Sequence, residues 1–444
     1  MVAILGANSV SGGYEVSNSL RFNDNDSAYL SRSPSAGDRH TFTISMWVKR
    51  SNLGDTTLIS SGLASDLMNI NFASGGELGL YNSNGGDIQL SRKFRDVSAW
   101  YHIVISADTD QSTASDRIKF YVNGVQETAF NSASYPSQGL DMMFNVNSSF
   151  PISIGKYPTS SSTFFDGYMA EVVVIDGTQL NQNSFGEFNN DGVWIPKDVS
   201  DLTFGTNGFY LEFKQTGTSA NSSGMGADTS GNDNHLTPNN LATLDITEDT
   251  CTNNFATMLP ILDTDDVVTF SEGNTKLVGS SSSDGGGSWA SIVPTSGKWY
   301  AEVKLTDASD TQVGFATVDS WSSARNMLGD GTFLYAQQNN TAIKLRQGGS
   351  TSNASVSGGS NSYSTYGNNT IINLALDMDN GKAYFGIDGT YINSSNPANG
   401  TNSFALHSDY TTGVTFACGL DSATAEWNFG NPPFTISSGN NDGL

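Results

Sequence analysis

The sequence contains very few residues of the types that build disulfide frameworks or metal centres. Its 444 residues include two cysteines, Cys251 and Cys418, and four histidines scattered along the chain. Two cysteines so far apart in sequence supply neither a disulfide framework nor a thiolate metal site. The scattered histidines likewise argue against a histidine-rich metal centre.

Basic residues and long apolar runs are also scarce. The chain has 20 Lys and Arg residues and 44 Asp and Glu residues, which gives a formal net charge of −24. Such a charge repels phosphate backbones and anionic membranes, so no nucleic-acid partner is expected. No stretch approaches the roughly 18 apolar residues of a membrane helix, so no membrane insertion is expected. The start, Met1 to Gly6, lacks the pattern of a signal peptide, and we expect export by lysis or by a dedicated secretion system.

Long runs of helix-forming residues are missing, and turn formers are abundant instead. Gly accounts for 47 residues, and short apolar or alternating segments are separated by Gly, Asn, Asp and Ser. This pattern is typical of an all-β chain with many turns. The sequence therefore predicts an all-β protein with two jelly-roll or β-sandwich domains joined by a Gly/Ser/Asn-rich connector.

Closely spaced strands are predicted from about residue 20 to residue 180. Phe42 to Val48 alternates with period two, which places Phe42, Ile44, Met46 and Val48 on one face and Trp47 on the other. Asn123-Gly124 is a hairpin turn signal, because both central residues of a type I′ turn need positive φ.

Four phrases of this region resemble the laminin-G or concanavalin-A-like jelly roll in order and spacing. They are an early strand with Trp47, Trp100-Tyr-His-Ile-Val104, Tyr121-Val-Asn-Gly124 and Phe165-Asp-Gly-Tyr-Met-Ala-Glu-Val-Val-Val174. The resemblance implies a β-sandwich over residues 20–180, preceded by a leader or anchor over residues 1–19.

A connector with a few strands is predicted over residues 181–270, and a second sandwich over residues 271–444. The second sandwich resembles a SPRY-type domain through four phrases. They are Gly297-Lys-Trp-Tyr-Ala-Glu-Val303, Val313-Gly-Phe315, Ala375-Leu-Asp-Met-Asp-Asn-Gly-Lys382 and Trp427-Asn-Phe-Gly-Asn-Pro-Pro-Phe434. Two connector phrases, Asp228 to His235 and Asp249 to Phe255, resemble pieces of marine bacteriophage structural proteins; their local interpretation is turn chemistry.

Catalysis by a pair of carboxylates is not favoured. Sandwich glycosidases need two carboxylates a few ångströms apart, which on a strand means alternate residues that share a face. No Glu-x-Asp-x-Glu occurs, and Glu171 and Asp176 have an odd spacing on the predicted central strand. The sequence predicts a protein that is not an enzyme.

Calcium is the one cofactor that the sequence suggests. Asp108, Asp110 and Asp116 flank one predicted rim loop, and Asp166 approaches the Asn23 to Asp26 segment at another. The laminin-G resemblance implies calcium at such a rim, with Asp108, Asp110 and Asp166 as candidate ligands. The alternative interpretation is that these are exposed turn residues.

Trp321, Asp330 and Tyr335 are the candidate ligand-binding residues of the second sandwich. They are predicted in loops between strands, where an aromatic face beside polar groups suits a sugar or a peptide.

The functional prediction is a non-enzymatic bacteriophage virion protein. In the favoured version a homo-oligomeric tail-fibre or appendage subunit binds other virion proteins and a host surface glycan or protein, and is extracellular after lysis. Two alternatives remain open. One is a capsid decoration or head-fibre protein; the other is a secreted bacterial carbohydrate-binding protein or glycosidase.

Overall fold

A computed structural model describes most of the chain and divides it into two units. The described residues are 3–4, 13–63, 65–159, 163–260, 267–280, 285–318, 332–347, 349–406, 408–430 and 433–434. We call residues 8–254 the N-terminal unit, and residues 1–7 with 255–444 the C-terminal unit.

The all-β prediction is confirmed. The strands up to residue 254 are β1 Ala3–Ile4, β2 Ser19–Phe22, β3 Tyr29–Arg32, β4 Thr41–Arg50, β5 Thr56–Leu63, β6 Asp66–Phe72, β7 Glu77–Asn82, β8 Asp87–Lys93, β9 Trp100–Asp108, β10 Ile118–Val122, β11 Val125–Gln126, β12 Phe130–Ser134, β13 Ile152–Ile154, β14 Gly167–Asp176, β15 Gly186–Phe188, β16 Trp194–Pro196, β17 Phe209–Leu211, β18 Thr237–Asn239 and β19 Ile246–Thr247. The later strands are β20 Val268–Ser271, β21 Lys276–Gly279, β22 Gly286–Trp289, β23 Lys298–Asp307, β24 Thr311–Thr317, β25 Phe333–Gln337, β26 Lys344–Gln347, β27 Ser350–Asn353, β28 Thr370–Asp377, β29 Lys382–Ile387, β30 Thr390–Tyr391, β31 Phe404–Ala405, β32 Val414–Leu420 and β33 Thr424–Asn428.

Helix occurs in the described ranges only as short 3-10 turns. They are Asp24–Asp26, Ala114–Asp116, Gln182–Ser184, Thr243–Asp245, Ile392–Ser394 and Ser408–Thr412. Within this described part, none of the helices has the length and apolar character needed to cross a membrane.

The N-terminal unit is a sandwich of two eight-stranded sheets. Sheet 1 has the order β11-β10-β9-β4-β14-β2-β19, with β17 also paired to β14; sheet 2 has the order β12-β8-β7-β6-β5-β13-β3-β18. Phe42, Ile44, Met46 and Val48 all enter the core between the sheets, and Trp47 points to the opposite face of sheet 1. The predicted alternation of β4 is therefore confirmed.

An extra residue interrupts the most hydrophobic strand, β14. Ala170 pairs with Trp47, and Val173 pairs with Ser45. An advance of three residues along β14 is therefore paired with an advance of two residues along β4. Glu171 lies in this bulge with a φ of 48°. The bulge also marks where the outer partner of β14 changes from β2 to β17. A β-bulge re-aims side chains in this way, and here it turns Glu171 away from the core.

Residues 181–254, which the sequence places in a connector with a few strands over residues 181–270, form part of the N-terminal unit. Strands β17, β18 and β19 pair with β14, β3 and β2 respectively. Apolar side chains from this segment cover the outer face of sheet 1. The division between the units accordingly falls at Asn254 and Phe255, well before the predicted start of the second sandwich at residue 271.

The C-terminal unit is a second antiparallel sandwich with its own core, as the SPRY resemblance implies. Its nine-stranded sheet has the order β20-β21-β33-β23-β28-β29-β30, with β1 on β23 and β31 on β29; its six-stranded sheet has the order β22-β32-β24-β25-β26-β27. Phe315, Phe385, Phe416 and Trp427 are buried between them. From the predicted leader, Ala3–Ile4 pairs in parallel with Trp299 and Tyr300.

Candidate ligand groove

An outer layer built on sheet 1 forms the most developed surface feature of the N-terminal unit. One apolar cluster packs Val104, Val173 and Ile175 of the sheet against Phe185 and Tyr210 of the following segment. A second contains Val16, Trp47, Ala170 and Trp194, all buried. Sheet 1 is therefore apolar on both faces, and its second face carries a groove.

The groove has a volume of about 440 Å³. That size lies within the roughly 300–1,000 Å³ of ordinary ligand sites. Its lining residues are Trp47, Ala99, Trp100, Asn123, Phe188, Gly192, Val193, Trp194, Ile195, Pro196, Cys251, Thr252 and Asn254.

Four aromatic rings follow one another from the interior of the unit to the groove rim, and we call them the aromatic row. The ring centroids lie 4.8 Å apart for Trp47 and His102, 5.9 Å for His102 and Trp194, and 4.9 Å for Trp194 and Phe188. Phe188 and Trp194 face each other across the β15-β16 hairpin. Phe188 is 53% exposed, so the row ends in an accessible ring.

His102 holds the aromatic row in place as a neutral side chain. Trp194 Nε1 donates to His102 Nδ1 at 3.0 Å, and His102 Nε2 lies 2.9 Å from Ser45 Oγ. An indole N–H can only donate, so the imidazole proton is on Nε2 and is donated to Ser45. Burial lowers the pKa of His102 to about 3, because a charged imidazolium would lose its hydration.

Two glycines make room for the Trp194 ring. Gly124 has a φ of 79°, and a Cβ there would lie 2.2 Å from Trp194 Cε3. A Cβ at Gly186 would lie 2.5 Å from Trp194 Cζ2. The Asn123-Gly124 turn therefore serves the groove as well as the hairpin, because any side chain at Gly124 would displace the indole.

A buried ion pair fixes the other end of the groove. Lys49 Nζ lies 2.8 Å from Asp249 Oδ2 and 2.8 Å from Asn254 Oδ1, and the two charged side chains are 0% and 1% exposed. Trp100 Nε1 donates to Asp249 Oδ1 at 3.1 Å. Because the indole N–H groups of both Trp100 and Trp194 bond inside the protein, the two side chains offer the groove only apolar ring surface.

Asn123 and Asn254 bring polar groups to the apolar lining. Asn123 Oδ1 accepts from the backbone N–H of His102 at 2.8 Å, which orients the side-chain amide. Asn254 Nδ2 donates to Ser98 O at 3.0 Å, and a side-chain amide carries a second N–H. The groove thus combines fixed aromatic surface with oriented, uncharged hydrogen-bonding groups.

Glu171 is sealed off from the groove. It borders a separate cavity of about 10 Å³, which is no larger than one water. The Tyr210 hydroxyl donates to Glu171 Oε2, and the Tyr14 and Tyr210 hydroxyls lie 3.0 Å apart. Burial raises the pKa of Glu171 to about 7. Asp176 accepts from the backbone N–H groups of Asp38 and Asn207, so it stabilises loops at the end of β14.

The first sandwich has a family match. Residues 22–183 match the Laminin_G_3 model, described as the concanavalin A-like lectin/glucanases superfamily. The match confirms the laminin-G-like prediction for the first sandwich. No curated protein has a matching sequence.

Solved structures with similar folds include three from different organisms. A Bacteroides ovatus protein described as carbohydrate-binding has 16% identity and a TM-score of 0.36, covering 51% of this chain and 58% of its own. The SPRY domain of human HERC1 has 14% identity and a TM-score of 0.28; the match covers 38% of this chain and 96% of the HERC1 domain. Domains LG4-5 of the mouse laminin α1 chain have 9% identity and a TM-score of 0.31; the match covers 96% of this chain and 85% of the laminin fragment.

The predicted ligand-binding residues of the second sandwich do not form a described site. Trp321 and Asp330 lie outside the described residues. The loop position predicted for Tyr335 is wrong, because Tyr335 lies on β25 with 3% exposure and stacks on Phe333 at 4.7 Å. Alternation alone places both rings on the same face of the strand, which is where they pack.

The candidate calcium ligands occupy two opposite ends of sheet 1. Asp108 pairs with Thr41 at the start of β4. The backbone carbonyl of Asp166 accepts from Ser51 N just beyond the opposite end of β4. In the described part of the chain, no three His, Cys, Asp or Glu side chains are grouped as a metal site.

Each of these aspartates has protein partners. Asp108 accepts from the Gln111 side chain at 2.6 Å, and Asp110 lies 3.1 Å from His40 Nδ1. Asn52 Nδ2 donates to both Asp24 and Asp166. Calcium binding stays a prediction.

Proposed function

We propose that the chain is a non-enzymatic bacteriophage virion protein, an appendage or tail-fibre subunit whose N-terminal unit binds a host surface glycan in the groove. The observation that carries the proposal is the groove itself: apolar rings held by internal hydrogen bonds stand beside oriented amides. Rings of this kind stack on the apolar C–H faces of sugars, while the amides bind hydroxyl groups.

Further observations support this proposal. The family that residues 22–183 match includes lectins by its description, and a similar Bacteroides ovatus structure is described as carbohydrate-binding. Among the described residues that line the groove there is no carboxylate, and retaining or inverting hydrolysis needs two. The virion location rests on the resemblance of the Asp228 to His235 and Asp249 to Phe255 phrases. Homo-oligomers, virion partners and rim calcium belong to the same proposal.

A glycan array probed with the full chain tests the binding role, with and without added calcium. We expect binding to at least one glycan, and release of no reducing sugar from it. In the Phe188→Ala variant we expect affinity to fall about fivefold, in line with the ~1 kcal/mol of one aromatic contact.

The matched control is Tyr81→Ala on sheet 2, where the ring is 45% exposed, close to the 53% of Phe188. Equal loss in both variants would show that the groove is not the site. Binding to no glycan in either calcium condition would contradict the proposed function, and hydrolysis would contradict its non-enzymatic part.

A further inference from the structure

We propose that the groove selects uncharged saccharides over acidic ones, an inference that rests on the glycan binding proposed above. Within the described part of the chain, the residues that line the groove include Trp, Phe, Asn, Thr, Cys, Gly, Pro and aliphatic types, and none of them is charged. An anionic sugar would give up hydration on entry without meeting a cation, which is costly.

The buried cation beneath the groove does not compensate for this. Lys49 is fully buried, and its ammonium group already bonds to Asp249 and Asn254. Drawing the ammonium toward a ligand would leave Asp249 buried without its partner, a change that costs several kcal/mol. The ion pair therefore acts as a fixed, neutral support for Trp100 and Asn254.

The net charge near the rim acts in the same direction. Three charged residues adjoin the lining residues along the chain, Glu187, Asp191 and Lys197; all three are exposed, and two of them are acidic. The whole chain carries a formal charge of −24. The resulting negative potential repels carboxylated or sulfated sugars before contact, whereas a neutral sugar is unaffected.

The lining also favours a sugar over a protein segment. Its apolar surface comes mainly from three Trp and one Phe. Hydrogen bonds fix Trp100 and Trp194, and glycine contacts also hold Trp194. The flexible residues with which adaptable peptide-binding surfaces re-pack, above all Met, do not occur among the described lining residues. Rigid rings beside amides suit a flat, hydroxylated ring.

Isothermal titration of the full chain with matched sugars tests this selectivity. The probes are glucose and galactose oligosaccharides, each paired with the same backbone oxidised at C6 to the carboxylate. We expect binding of at least one neutral member, and at least about tenfold weaker binding of its acidic counterpart. Affinity for the neutral member should not change between about 20 mM and 500 mM NaCl, since no ion pair is screened.

A charge introduced at the groove provides the matched variants. Val193 lines the groove and is 45% exposed, so Val193→Lys places an ammonium at the rim, and Val193→Gln is the uncharged control. The ratio of affinity for the acidic counterpart to affinity for the neutral sugar should be at least about fivefold higher in the Lys variant than in the Gln variant.

The possible outcomes separate this inference from the proposed function. Acidic sugars that bind as tightly as their neutral counterparts would overturn the selectivity and leave glycan binding intact. If no sugar binds, the proposed function fails together with the inference. Peptides rich in Trp and Leu, titrated in the same way, would assign the groove to a protein partner if they bound and the sugars did not.

Discussion

His102 and Glu171 are buried titratable residues on the same face of sheet 1, and their protonation responds to burial in opposite directions. Burial lowers the pKa of His102 to about 3 and raises that of Glu171 to about 7. Both shifts favour the uncharged form, because burial removes the hydration that a charged side chain needs. The outer layer therefore contains hydrogen-bonded but neutral groups around the aromatic row.

Replacing Glu171 with Gln should remove a loss of stability that the wild-type chain shows as pH rises from about 4.5 to 7. The folded-state pKa of about 7 exceeds the ordinary value of 4.5, so the stabilisation from the neutral carboxyl is complete below about pH 4.5 and is lost as pH rises through 7. Between about pH 5 and 8 the wild-type chain should lose about 2 kcal/mol that Glu171→Gln keeps. Denaturant unfolding at each pH measures it.

Exposed Glu187 provides the control, because its change to Gln should leave the pH profile of the wild type intact. Parallel pH profiles for the Glu171→Gln variant and the wild type would contradict the account of a sealed, neutral carboxyl. The comparison between variants removes the contribution of His102, which is present in both.

At the residue scale, the sequence predicted local features better than distant pairs. Asp228 illustrates the local kind: it accepts from Ser230 N and Asn234 N as the turn interpretation requires. Asp249 was given the same interpretation, but its carboxylate bonds to Lys49, 200 residues away. A turn-forming aspartate and a buried ion-pair partner look alike in one sequence, because the partner is chosen by the fold.

At the scale of strands, the outer layer buries apolar side chains of sheet 1 that the two sheets alone would leave exposed. Val104, Val173, Ile175 and Trp47 are buried beneath residues 181–254. At roughly 1.5–3 kcal/mol for each buried apolar side chain, they contribute about 6–12 kcal/mol. That equals the whole stability of an ordinary domain, so the sandwich needs this layer to fold.

Two fragments of the N-terminal unit should therefore differ sharply. We expect residues 13–254 to fold, and residues 13–180 to aggregate or bind a hydrophobic dye, since the shorter fragment exposes the outer face of sheet 1 and removes β17, β18 and β19. Size-exclusion chromatography and near-ultraviolet circular dichroism distinguish them. A monodisperse, cooperatively unfolding 13–180 fragment would contradict the role given to the outer layer.

The strand pattern explains which parts of the N-terminal unit the sequence predicts. The alternation of Phe42 to Val48 predicted the faces of β4 correctly, because a two-residue period is visible locally. The bulge at Glu171 was not visible, since it depends on a change of pairing partner along β14. The strands within residues 181–254 have three residues or fewer, too short for periodicity to show, so the sequence predicts a connector over residues 181–270.

At the scale of the whole molecule, the charge of −24 works against the compact state. Like charges repel at close quarters in the folded chain, and the repulsion is weaker when the chain expands. The described ion pairs are mostly partly exposed and therefore contribute little individually. Folding thus proceeds in spite of the charge, on the strength of the cores.

Added salt should raise the melting temperature of the full chain. Raising NaCl from about 20 mM to about 500 mM shortens the screening length from roughly 20 Å to under 5 Å, which weakens the repulsion among the acidic residues. We expect an increase of a few degrees in a thermal scan at neutral pH. A non-ionic solute at equal osmolality should not reproduce the increase, and a fall in melting temperature with salt would contradict the prediction.

The gathering of Trp47, Trp100 and Trp194 at one groove also has an optical consequence. Three of the seven tryptophans of the chain change their surroundings when the groove fills, so the protein carries its own fluorescent reporter of occupancy. Trp194 emits beside an uncharged imidazole, and Trp100 beside a carboxylate. Ligand screening can therefore begin with intrinsic emission alone, with no label attached to protein or sugar.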